Sequence, residues 1–168
     1  MPVSHSKLSK PTMSRRSFMV SALALSLVPA AVVARSRPVP VVLFVCQYGT
    51  AKSAIARELF RRRVAQRHLA LSAFSRGLTI EDHMTPDLRQ RLAADGIDTE
   101  LEKPQVLMPR DWQRASVVVA FNPLPLEVPR EKVRDWTDLP SITDDYASTR
   151  AMLDRRLEAL IDELETRA

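Results

Sequence analysis

The sequence predicts a doubly wound α/β domain, a four-stranded parallel sheet with helices on both faces. Three observations carry the prediction. Residues 39–45 and 116–121 are almost unbroken apolar, β-branched runs, the pattern of strands buried on both faces. Between and after them lie stretches whose apolar residues recur at helical spacing among charges. The three glycines, Gly49, Gly77 and Gly96, fall between predicted elements, where the backbone has to turn.

The elements follow in order. The run at 39–45 predicts the first strand, and a loop starts at Cys46. From Lys52 to His68, Ile55, Leu59 and Val64 mark one face of an arginine-rich helix. Residues 69–74 predict a second strand, closed by a turn at Arg76-Gly77. Thr85-Pro86-Asp87 opens a helix with an N-cap, a proline at the first helical position and an acid in the first turn; Gly96 ends it. Met108-Pro109-Arg110-Asp111 starts another short helix before the third strand at 116–121, and 132–136 predicts a fourth. Met152, Leu153, Leu157, Leu160, Ile161 and Leu164 form the apolar face of a last helix over 145–165.

At 168 residues the chain is the size of one ordinary domain, large enough to bury a core without metals or disulfides. Its formal charge of +5 would suggest nucleic acid or anionic lipid, but the excess sits at the front. Residues 1–34 hold Lys7, Lys10, Arg15 and Arg16 and no carboxylate, which leaves 21 basic against 20 acidic residues in the rest. With two Trp, two Tyr and no basic stripe interleaved with aromatics, nucleic-acid binding is not expected.

Ser14-Arg15-Arg16-Ser17-Phe18-Met19 runs into an uncharged apolar stretch ending at Val32-Val33-Ala34, a small-residue cleavage point. The pattern resembles a twin-arginine export signal. The expected organisation is therefore a signal at 1–34, a linker at 35–40 and the folded domain at 41–168. Export to the periplasm or beyond the membrane follows, with no stable membrane association once the signal is removed. A retained anchor and a basic tail leading into a core helix are the alternatives.

Chemistry concentrates after the first strand. A loop passing from a strand into a helix start gathers backbone N–H groups at the positive end of the helix dipole, which suits a tetrahedral oxyanion. The same field stabilises a thiolate, the nucleophilic form of cysteine. Cys46, the only cysteine, stands at that place. Gly49 lets the loop turn, Lys52 adds positive charge, and Ser53 offers a hydroxyl to the sulfur or to a leaving group. Read alone, a cysteine after an apolar run is more often a packing residue, and a solvated first-turn residue is the alternative for Lys52.

The run V-L-F-V-C-Q-Y-G-T-A-K-S-A-I-A-R-E-L-F resembles the first strand, loop and helix of the low-molecular-weight protein tyrosine phosphatases, whose signature is Cys, five residues, then Arg-Ser. Related arsenate reductases share the loop, and Thr50-Ala51-x-Ser53 is closer to theirs. The similarity runs on through S-A-F-S-R-G-L, T-P-D-L, M-P-R-D-W, S-V-V-V-A-F and the closing helix. The resemblance implies the low-molecular-weight phosphatase fold. It also implies Cys46 as nucleophile; Gln47, Tyr48, Gly49, Thr50, Ala51 and Ser53 around the substrate oxyanion; and Lys52 as the catalytic cation where the family has arginine. Lysine keeps the charge and loses the planar fork that grips two oxygens.

For the acid that protonates the leaving oxygen, the resemblance points to Asp138 in Trp136-Thr137-Asp138-Leu139-Pro140, although a leucine separates Asp from Pro. Asp144 in Asp144-Asp145-Tyr146 is its rival, and reads also as a helix cap. No cofactor or metal is implied, and His5, His68 and His83 read as surface or loop residues. The expected substrate is a phosphorylated protein or small phosphomonoester. Two further readings stand beside hydrolysis: an oxyanion-binding module without turnover, and arsenate reduction, which would need an outside thiol because Cys46 has no partner cysteine.

Overall fold

The computed structural model describes residues 38–167. The expected signal at 1–34 and residues 35–37 of the linker lie outside them.

Four strands, β1 (Val41–Cys46), β2 (Ser72–Gly77), β3 (Val117–Ala120) and β4 (Val133–Asp135), form one parallel sheet in the order β2-β1-β3-β4. The reversal of winding at β1 makes its carboxyl end, Cys46, the switch point where open α/β sheets place ligands. Val42 to Val45 are completely buried, as a two-sided apolar run requires.

Four helices cover the sheet: α1 (Lys52–Gln66), α2 (Pro86–Ala94), α3 (Pro109–Arg114) and α4 (Tyr146–Arg167). On one face Val42 and Phe44 pack with Ile55, Leu59 and Phe60 of α1 and with Leu153, Leu157 and Ile161 of α4. On the other, Leu43 and Val45 pack with Phe74, Val118 and Trp112 of α3. Each such aliphatic or aromatic side chain contributes roughly 1.5–3 kcal/mol on full burial, so the central strand is held from both sides. Thr85 caps α2 through its side chain on the Leu88 N–H, with Pro86 at the first position, as its sequence predicts.

The second strand departs from expectation. It begins at Ser72 rather than Leu69, because its register is set by β1, pairing Val41 with Ser72 and Cys46 with Gly77. Leu69 and Leu71 instead pack on the core from the connection before it. Gly77, expected in a turn, is therefore the last strand residue, next to the chemical loop.

Candidate active site

Cys46 closes β1, and the chain then turns through residues 47–51 into α1. Gly49 makes that turn possible: its φ of +73° lies in the left-handed region. The loop rests directly on the end of β2. A Cβ at Gly77 would lie 2.2 Å from the Thr79 carbonyl oxygen and 2.8 Å from both the Gly49 nitrogen and the Tyr48 carbonyl carbon. Leu78 and Thr79 fasten the same contact by donating their N–H groups to the Cys46 and Gln47 carbonyls, at 3.0 and 2.8 Å. From the loop after β3, the Asn122 side chain accepts the Gln47 N–H at 2.9 Å.

The sulfur sits at the floor, 5% exposed. Gly49 N–H donates to Cys46 Sγ at 3.2 Å, and the fully buried Ser53 hydroxyl lies 3.0 Å from it. The Gly49 amide donates to the sulfur and the Ser53 hydroxyl is placed to do the same. Among the described residues no side chain caps α1 and none in its first turn is acidic, so the positive end of its dipole is left facing the loop.

A cavity of about 280 Å³ opens above the sulfur, lined by Cys46, Gln47, Tyr48, Thr50, Ala51 and Lys52, with His83, Asn122 and residues 141–143 opposite. The structure thus brings together six of the nine residues singled out in the sequence. Ser53 lies beneath them against the sulfur. Gly49 faces a neighbouring cavity shared with Ile80 and Glu81.

Lys52 lines the cavity, and its Nζ donates to the Leu139 carbonyl at 3.2 Å. Partial burial pulls its ammonium below the ordinary lysine range, against the opposing attraction of the Cys46 charge.

Asp138 is not brought to the cavity. Leu139 and Ile142 bury their side chains in the core, each 2% exposed, and this turns the Leu139 carbonyl toward Lys52 and the Asp138 carboxylate toward α4. There Arg156 grips both oxygens, at 2.8 and 2.5 Å. Hydrogen bonding by that guanidinium holds the Asp138 carboxyl below the usual aspartate range, so near neutrality it is ionised and has no proton to give. Asp144 does not line the cavity either; it accepts from the Thr143 hydroxyl at 3.3 Å, while Asp145 receives the Ser148 N–H in the first turn of α4. Among the described residues no carboxylate lines the cavity.

His83 is an exposed loop residue, as expected, but it also lines the cavity, a placement that sequence reasoning missed together with Asn122 and residues 141–143. Its ring stacks on Tyr48 with centroids 3.7 Å apart and planes 18° from parallel, and its Nε2 lies 2.9 Å from Glu81 Oε2. The segment between β2 and α2 has no periodicity, and nothing local to it signals where it passes.

A strand-end thiol under an amide-rich loop, at the switch point of a β2-β1-β3-β4 parallel sheet, is the arrangement the sequence resemblance implies. The low molecular weight phosphotyrosine protein phosphatase family matches residues 41–134. The chain belongs to that family. Its fold is shared by solved structures of several members and relatives. YfkJ from Bacillus subtilis superimposes with a TM-score of 0.66 at 16% identity, over 79% of this chain and 98% of its own. The low molecular weight protein tyrosine phosphatase from T. tengcongensis gives 0.62 at 19% identity, over 74% and 99%. A thioredoxin-dependent arsenate reductase from Corynebacterium glutamicum gives 0.61 at 20% identity, over 79% and 65%. No curated protein matches the chain. Phosphatases and arsenate reductases both stand among the structural relatives of this family member, as its loop composition leads one to expect.

Proposed function

We propose that this chain is an exported phosphatase that hydrolyses phosphotyrosine or a similar phosphomonoester through a phosphocysteine at Cys46. The observation that carries the reading is Cys46 Sγ at a cavity walled by loop residues, accepting from the Gly49 N–H and lying 3.0 Å from the Ser53 hydroxyl. A thiolate so held attacks phosphorus along the cavity axis. The loop amides and Lys52 then meet the equatorial oxygens, where charge accumulates in the transition state. Water releases inorganic phosphate from the phosphocysteine and returns the thiolate. Export is supported by the paired arginines before the apolar stretch at the N-terminus.

The test is chemical trapping. Rapid quenching during turnover of a labelled aryl phosphate should leave phosphate on Cys46 of the wild-type chain and none on Cys46→Ser. A mature protein beginning near residue 35 after secretion, read by mass spectrometry, would support the signal; cytoplasmic retention at full length would reject it.

One observation favours a second reading, a phosphate-binding module without turnover. Lysine, which we read as standing in the place of the family's arginine, gives one of its hydrogen bonds to Leu139 and offers no bidentate grip. That reading predicts phosphate binding by calorimetry with no hydrolysis of any aryl phosphate.

A further inference from the structure

Cleaving an aryl or alkyl phosphate requires a proton for the departing oxygen, and the cavity above Cys46 has no carboxylate among its described lining residues. Asp138 faces away in a two-pronged ion pair with Arg156. The lining side chains that carry a hydroxyl, ammonium or imidazole group, besides the Cys46 thiol, are Tyr48, Thr50, Lys52, His83, Ser141 and Thr143. Of these residue types histidine alone changes charge near neutrality, the property a general acid needs. Lys52 is bound to the Leu139 carbonyl.

His83 is also the lining residue with the support expected of a proton donor. Glu81 Oε2 lies 2.9 Å from its Nε2, which gives that nitrogen a carboxylate partner and leaves Nδ1 as the other ring nitrogen. Tyr48, a residue of the loop itself, stacks flat against the ring and so ties its position to that of the oxyanion site. Thr50 of the same loop donates its hydroxyl to the Glu81 backbone carbonyl at 3.1 Å, which anchors the segment carrying both Glu81 and His83. The charged groups about the ring are Glu81 and Asp82 on its own segment, Arg89 of α2 paired to Asp82, and Lys52 and Cys46 across the cavity.

Resting on the phosphatase reading, we propose that His83 is the catalytic acid and base of this site, with Glu81 as its positioning residue. In the first step the Cys46 sulfur–phosphorus bond forms, the bond from phosphorus to the leaving oxygen breaks, and the imidazolium gives its Nδ1 proton to that oxygen. In the second the now neutral ring takes a proton from water as the water oxygen bonds to phosphorus. The sulfur–phosphorus bond breaks, Cys46 departs as thiolate, and inorganic phosphate and the imidazolium are regained.

The test is leaving-group dependence, which a structural role does not alter. Wild-type chain, His83→Asn, His83→Gln, Glu81→Gln and Asp138→Asn are compared on phenyl phosphate, which needs protonation, and on 2,4-dinitrophenyl phosphate, whose leaving group departs as the anion. The histidine variants should lose roughly 100-fold or more in kcat/KM on phenyl phosphate and only a few-fold on the dinitrophenyl ester. Glu81→Gln should lose less, in the same pattern. Retained activity on the dinitrophenyl ester also shows that the variants are folded. Equal losses on both esters, or the pattern appearing in Asp138→Asn instead, would overturn the assignment while leaving the phosphatase reading intact. Failure of wild type and Lys52→Arg on both esters would overturn both.

Discussion

The Lys52 ammonium donates to the Leu139 carbonyl at 3.2 Å, tying the first residue of α1 to the segment after β4. The contact takes one of the three N–H donors of the cation that the phosphatase reading assigns to the transition state. Lys52→Arg supplies a planar fork able to hold two oxygens. We expect it to raise kcat/KM on an aryl phosphate by roughly 10- to 100-fold, within the range that oxyanion donors contribute. Steady-state kinetics decides, and an unchanged or lowered value would mean that Lys52 is not the limiting element.

The titration of Lys52 gives a second outcome. Burial makes the ammonium lose its proton at a lower pH than an ordinary lysine. The protonated form is the one that faces a phosphate, so kcat/KM should fall on the alkaline side, beginning below the ordinary lysine value of about 10.4. Arginine stays charged throughout, so that limb should be missing from the Lys52→Arg profile.

Gly77→Ala places a Cβ against three backbone atoms of 48, 49 and 79, none of which can swing aside as a side chain would. The loop must shift away from β2. Misplacement near 1 Å in a catalytic site costs about 100-fold in rate, and we expect a loss of that order with the fold retained. Activity together with circular dichroism measures it; an active Gly77→Ala protein would mean that the loop tolerates displacement.

Ser53→Ala removes the hydroxyl 3.0 Å from the sulfur. That group stabilises the thiolate, which is the leaving group when water attacks the phosphocysteine. Its loss should slow the second step by about 10-fold or more, so that stopped-flow mixing shows a burst followed by slow turnover. Equal slowing of burst and steady state would argue against the hydroxyl acting at this step.

Away from the site, Tyr146 donates its hydroxyl to Asp95 Oδ2 at 2.5 Å and joins the start of α4 to the end of α2. Burial, aided by the Asp95 hydrogen bond, pushes its phenol up to about 12. In the unfolded chain a tyrosine titrates near 10. The protonated phenol is therefore favoured by folding: its contribution is complete below about pH 10 and is lost as pH rises toward 12. Tyr146→Phe should be less stable than wild type at neutral pH and should lose less stability over that interval. Urea unfolding at a series of pH values tests the sign.

By itself the sequence determined the parts governed by neighbours along the chain. The two-sided apolar run of β1, the cap and proline of α2 and the left-handed turn at Gly49 are local demands of backbone and periodicity, and they put Cys46, Lys52 and Ser53 together at one strand-to-helix junction. Only the tertiary structure decided what depends on partners far along the chain. Register with β1 moved β2 to Ser72–Gly77 and pressed Gly77 onto the loop. Burial of Leu139, the residue next to Asp138, and of Ile142 two residues after Pro140 left the Asp138 carboxylate turned out to Arg156. The aperiodic segment after β2 carried His83 onto Tyr48. Periodicity and turn chemistry reach a few residues; the direction of a loop side chain is set by whichever distant surface buries its neighbours.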